Sequence, residues 1–221
     1  MTREAYHKAL KELENELLTL GEMVAKAVKD SIEALKKRDF EMSKEIVKND
    51  LLINKKRFEI EEKCLQLIAT QQPMAIDLRT IAAILSIITD LERIGDHAEG
   101  NAKINLLIGS EPLVKPLIDV PRMNEKGLSM LERALKAFIS RDAKTARAIC
   151  DEDDEVDALY DQIYRELILL MIENPKKIEG ATYLIWLAHN LERIADRVTN
   201  IAERVVFMVT GKMEEMNVSK Y

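Results

Sequence analysis

Eight side chains in this sequence form four pairs spaced four residues apart: Asp50 with Asn54, Glu92 with Asp96, Asp153 with Asp157, and Glu192 with Asp196. On an α-helix that spacing sets both members on one face, one turn apart. All but Asn54 are carboxylates, and crowded carboxylates raise one another's pKa and destabilise a fold unless protons, arginines or cations compensate. A bound cation is the natural compensator. All-oxygen donor sets suit hard ions such as Mg²⁺, Mn²⁺, Ca²⁺ or oxidised iron, and suit structural zinc poorly without cysteine or histidine. A single acidic pair is an ordinary solvated helix face, with Glu92-Arg93 and Glu192-Arg193 as salt bridges of small worth. Recurrence at matched positions in two halves of the chain favours a metal site instead.

The elements that position these pairs are legible from composition and punctuation. With 221 residues, 33% charged and 47% hydrophobic, and only 7 Gly and 5 Pro, the chain has the make-up of long amphipathic helices. All five prolines stand where helices must start or stop: Pro73, then Pro112, Pro116 and Pro121, then Pro175. The segment Gly109 to Pro121 divides two blocks of similar length, which predicts domains at 1–109 and 110–221, the second including the linker. Asp39 and Asp142, each after an arginine, are candidate N-caps. Apolar residues advance by three or four from Leu10 through Leu17, Val24 and Ile32 to Leu35 in a first helix. Ile46, Ile53, Ile60 and Leu67 line a second, and Ile84, Ile88, Leu91, Gly95, Ala98 and Ala102 a third.

The second half repeats the first. An offset of 103 carries Arg38-Asp39 onto Arg141-Asp142, Ile46 onto Ile149, Asp50 onto Asp153 and Ile60 onto Ile163. Beyond Pro73 and Pro175 the offset is 100, so that Leu91 to Asp96 meets Leu191 to Asp196. Short connections make successive helices antiparallel, so the predicted fold is all-α, two tandem up-down-up three-helix bundles related by internal duplication. It is not a solenoid, which needs more repeats of shorter period. The four residues 50, 54, 92 and 96 are centred on Pro73, and 153, 157, 192 and 196 on the step from Asn174 to Pro175. The pairs therefore face one another across each hairpin, about twenty residues or roughly 30 Å from its tip. Gly95 and the alanines at 98, 102, 195 and 202 permit close helix approach.

Other classes are disfavoured. A formal charge of −6 does not suit nucleic acid, which requires a basic surface. The longest apolar stretch, Ile81 to Ile88, is too short to span a membrane, and the first residues lack a signal-peptide core, so a cytoplasmic protein is expected. Cys64 and Cys150 form no CxxC and read as buried reduced thiols. His97 and His189 are not repeated and read as surface or core-edge residues, and His7 carries no signal. No Glu-x-x-His element of a ferritin-like oxidase, Gly-rich phosphate loop or His-containing catalytic constellation is present.

The motifs LERIGDHA (Leu91 to Ala98) and LERIADRVTNIAE (Leu191 to Glu203), the pairs at 50/54 and 153/157, and Ile76-Asp77-Leu78-Arg79 together resemble the PhoU family over almost the whole chain. The resemblance implies two three-helix bundles with multinuclear sites for divalent or trivalent ions, iron, manganese, magnesium or zinc. Their ligands would be Asp50, Asn54, Glu92 and Asp96 in one bundle and Asp153, Asp157, Glu192, Asp196 and Asn200 in the other. It implies a cytoplasmic, homodimeric regulator, not an enzyme, peripheral to the membrane through its contacts. Such proteins restrain a phosphate ABC transporter and keep a phosphate-regulon sensor kinase silent. Two positions depart from the motif: Asn54 replaces an aspartate, and the first half lacks the Asp-x-x-x-Asn that Asp196 and Asn200 form. The first site is therefore expected to bind metal more weakly than the second. The competing reading is a metal-dependent phosphoesterase working through polynuclear carboxylate centres.

Overall fold

The computed structural model describes residues 3–216, and all regular structure among them is helical. Helix α1 runs Arg3–Lys37, α2 Phe40–Gln71 and α3 Ile76–Ile108. After the linker come α4 Asp119–Ser140, α5 Ala143–Asp151, α6 Asp153–Glu173, a 3₁₀ turn Pro175–Lys177, and α7 Ile178–Thr210. The apolar stripes predicted for the first three helices are the buried ones, from Leu10 to Leu35, Ile46 to Leu67 and Ile84 to Ala102.

The duplication extends to the caps. Arg38 and Arg141 both take left-handed backbone (φ 57° and 58°) to end α1 and α4. Asp39 then accepts from the amide of Met42 at 2.9 Å, and Asp142 from those of Lys144 and Thr145 at 3.0 Å, which starts the next helix in each half. In the first half the turn is also held from behind by Asn105, fully buried on α3. Its amide donates to the Ala34 carbonyl (3.2 Å) and the Ser43 hydroxyl (2.9 Å), while its oxygen accepts from Arg38 (3.0 Å).

One expectation fails. The middle helix of the second half is not continuous but breaks at Glu152 into α5 and α6. Residues 151–155 read Asp-Glu-Asp-Asp-Glu, and five successive acids repel within a helix interior, where aspartate is also a poor helix former. The break turns Asp153, Asp154 and Glu155 into the first turn of α6, where the positive end of the helix dipole favours them. The Glu152 carboxylate is gripped by both terminal nitrogens of Arg133 on α4, one at 2.7 Å.

The two bundles do not stand apart. Helices α3 and α7 pack antiparallel along most of their length, so that Arg79 meets the Met208 carbonyl and Asn190 meets Asn101. One hydrophobic core runs through both repeats. Helices α1 and α4 also touch, where the lack of a side chain at Gly21 admits Leu135.

Candidate metal centres

The first acidic cluster sits between α2 and α3, and the second between α6 and α7. In the first, Asp50 and Asn54 project from α2 toward Glu92 and Asp96 on α3. The carboxyl of Asp50 is held above its ordinary pKa, first by burial and then by the negative charges of Asp96, Glu99 and Glu92. Asn54 donates its amide to Asp50 Oδ2 at 2.9 Å and partly offsets that rise. The close approach depends on Gly95: a Cβ there would lie 3.2 Å from Ile53 and 3.5 Å from Asp50 Oδ1. Asp50 Oδ1 and Asn54 Oδ1 are both buried without a hydrogen bond.

In the second cluster, Asp153 and Asp157 on α6 face Glu192 and Asp196 on α7. Glu192 has its pKa raised from 4.5 to about 7, first by burial and then by Asp196, Asp157 and Asp153, with Arg193 opposing. Its Oε2 atom is buried without a hydrogen bond; Arg193 Nε stands 3.6 Å away, as does Nδ1 of His189, whose pKa burial lowers. The convergence predicted from hairpin midpoints is therefore present in both halves, seen in the mutual electrostatic influence of the pairs.

Two residues change the reading of the ligand sets. Glu99, one turn beyond Asp96, adds a carboxylate to the first cluster, although Lys103 holds it at 2.6 Å. It stands three residues after Asp96, and that i,i+3 spacing was the signal available in the sequence. Asn200, in contrast, is not brought to the second cluster. It lies eight residues past Glu192, so it is rotated by about 80° around the helix and its amide instead reaches Asp90 Oδ1 of α3 at 3.4 Å. Arg197 joins the same carboxylate at 3.4 Å. Burial raises the pKa of Asp90, which Asn200 and Arg197 counter. The equivalent of Asp90 in the second repeat, Asn190, bonds His97 (3.2 Å) and Asn101 (3.1 Å) on the other side of the α3 and α7 seam. His97 is thus a seam residue, and burial holds its pKa low. His189 lies nearer the second cluster than expected, its ring also tilted against that of Tyr160 with centroids 6.0 Å apart.

The donor chemistry fits a hard cation: carboxylates and one amide, with buried oxygens in both clusters that accept no hydrogen bond. The arrangement is open rather than closed, since among the described residues no three His, Cys, Asp or Glu side chains are gathered around one ion position. Arginines hold part of the donor set instead. Arg93 pairs with Asp96 at 3.1 Å and Arg193 with Asp196 at 2.9 Å, both from exposed positions at which exchange for a cation is cheap. The two cysteines stay outside this chemistry; both are buried, and burial pushes their thiols up to about 12.

Comparison with known proteins adds an independent line. The family model described as the PhoU domain matches twice, at residues 17–104 and 120–205. A Clostridium acetobutylicum protein described as a phosphate-specific transport system accessory protein PhoU homolog is 39% identical over 218 residues, covering 98% of this chain and all of the relative. One of the same description from Aquifex aeolicus is 36% identical, covering 93% of each. Two crystal structures superpose with TM-scores of 0.90. The phosphate transport system regulatory protein PhoU of Streptococcus pneumoniae is 34% identical over 95% of this chain and 99% of its own. PhoU of Pseudomonas aeruginosa is 33% identical over 94% of this chain and its whole length.

Proposed function

The chain belongs to the PhoU family, and on that premise we propose that it is a regulatory accessory protein of phosphate uptake. In this reading it is a cytoplasmic helical adaptor that restrains a phosphate ABC transporter and keeps the associated sensor kinase silent when phosphate is plentiful. The observation that carries it is full-length similarity, on both repeats, to proteins described as accessory to phosphate-specific transport. Among the described residues no helix is long and apolar enough to cross a membrane, so contact with the membrane is assigned to the partners. The reading assigns no catalysis to the chain and includes assembly as a homodimer.

Cation binding at the acidic clusters is part of the proposal. Asp153, Asp157, Glu192 and Asp196 would hold one centre, and Asp50, Asn54, Glu92 and Asp96 with Glu99 the other. When bound, the ion supplies positive charge that neutralises each cluster and ties its two helices together. The residues' own contribution is to present partly buried oxygens to that position, and Arg93 and Arg193 keep the aspartates paired until exchange. The test is deletion of the chain in its host with measurement of phosphate uptake and of phosphate-regulon output, paired with phosphate-dependent co-purification of transporter components. Derepressed uptake and output are expected. Unchanged uptake and output, with no co-purifying transporter, would overturn the proposal.

A further inference from the structure

Asn200, which the second acidic cluster leaves aside, lines an open depression of about 430 Å³ on the seam between α3 and α7. Leu85, Ser86, Thr89 and Asp90 form one wall, and Asn200 and Arg204 the other. Asp90 is the buried member. Arg197 Nη1 and the Asn200 amide each reach it at 3.4 Å, and both go to Oδ1. These bonds are long, and Oδ2 keeps its capacity to accept. Arg204 acts electrostatically on the same carboxylate, yet among the described residues its hydrogen bond goes to the thioether of Met213 at 3.6 Å, a weak acceptor. Two guanidinium groups thus stand against one carboxylate, which leaves a positive charge over. The duplication does not require this. The offset of 100 puts Trp186, His189 and Asn190 where Ser86, Thr89 and Asp90 stand, and Gly100 and Ile104 where Asn200 and Arg204 stand. On that side of the seam Asn190 bonds His97 and Asn101, and neither the carboxylate nor either arginine has a counterpart.

A guanidinium, a carboxamide and a hydroxyl around one opening are the donors that bind a tetrahedral oxyanion. The carboxylate among them decides which oxyanion. Sulfate, and at about pH 8 a phosphate monoester, carries no proton, so it meets Asp90 with lone pairs alone and is repelled. Orthophosphate keeps a proton there. It donates that proton to Asp90 Oδ2 while its other oxygens accept from Arg204, Asn200 and Ser86. The Thr89 hydroxyl is already given to the Leu85 carbonyl at 3.1 Å, so it offers a lone pair and not a proton. The depression is wider than one such ion, which leaves part of its hydration water in place and makes binding weak.

We infer that the seam of α3 and α7 holds a site for free orthophosphate, gripped by Arg204, Asn200 and Ser86 and selected through its proton by Asp90. For its purpose the inference rests on the reading of the chain as a regulator of phosphate uptake, to which it adds a ligand. The experiment is equilibrium dialysis of radiolabelled phosphate at about pH 8 against the full chain stripped of metal, so that no ion at the acidic clusters captures phosphate. The expected Kd is about 1 mM, with sulfate and glycerol 3-phosphate competing at least about tenfold less well. Each variant is first matched to the wild type by circular dichroism. Arg204→Gln is expected to weaken binding about tenfold or more, and Arg165→Gln, exposed on α6, to leave it unchanged. Asp90→Asn installs the residue that the second repeat carries at this place, and should let sulfate compete to within about threefold of phosphate. No saturable binding below about 20 mM would overturn the inference, and so would an Arg204→Gln chain that binds like the wild type. Glycerol 3-phosphate or sulfate competing as well as phosphate would overturn the assignment to orthophosphate, and an Asp90→Asn chain that still rejects sulfate would overturn the role of Asp90. Binding without an uptake phenotype would sink the functional reading alone, and a phenotype without binding would sink this site alone.

Discussion

Replacing Glu192 by glutamine isolates what the second acidic cluster costs the fold. Burial, Asp196, Asp157 and Asp153 raise the Glu192 pKa from 4.5 to about 7. At 1.36 kcal/mol per unit, ionising it in the folded protein therefore costs about 3 kcal/mol more than in the unfolded chain. For an acid with a raised folded pKa, the folded state binds the extra proton between pH 4.5 and about 7. That contribution to stability is fully present below pH 4.5 and is lost as pH rises through about 7. Glutamine keeps the shape and stays neutral. In chelator-treated protein, Glu192→Gln should match the wild type below pH 4.5 and exceed it at pH 8 by about 3 kcal/mol, or roughly 5 to 10 °C in melting temperature for a chain of this size. Urea titrations at several pH values measure the difference directly. Adding Mn²⁺ at pH 8 should stabilise the wild type and leave the variant nearly unchanged, closing the gap. Two variants of equal pH dependence, or a glutamine chain less stable at pH 8, would refute the claim that the cluster is electrostatically strained.

Two further outcomes follow from the geometry. Metal counting on the double substitutions should show that Glu192→Ala with Asp196→Ala removes more bound metal than Glu92→Ala with Asp96→Ala, because Asn54 stands in the first cluster where the second has the carboxylate of Asp157; equal losses would contradict this. Asn105→Ala should destabilise the protein by about 2 kcal/mol, since the Ala34 carbonyl, the Ser43 hydroxyl and Arg38 all lose their buried partner, and a urea titration showing less than about 0.5 kcal/mol would mean that the turn is held by its backbone alone.

By itself the sequence determined the helical stripes, the caps and the repeat, which depend on neighbours three, four or seven residues away or on a fixed offset. The helical periods and the caps at Asp39 and Asp142 are local, so they are legible in one dimension. So is the duplication. Even the meeting of the acidic pairs followed from counting outward from each hairpin turn, because antiparallel neighbours joined by a short loop have a fixed register. What lay beyond reach was set by rotation about a helix axis and by contacts between the halves. Asn200 carries a motif-like spacing, yet the drift of 3.6 residues per turn swings it off the acidic face and onto Asp90 of the other repeat. The seam of α3 and α7, with Asp90, His97, Asn101 and Asn190 inside it, joins residues about a hundred positions apart, and no periodicity announces such a contact. The break at Glu152 stands between the two cases. Its acidic run was visible in the sequence, but only the packed structure, with Arg133 on the carboxylate and Asp153 buried at the new helix start, decided that the run would break the helix rather than bend it.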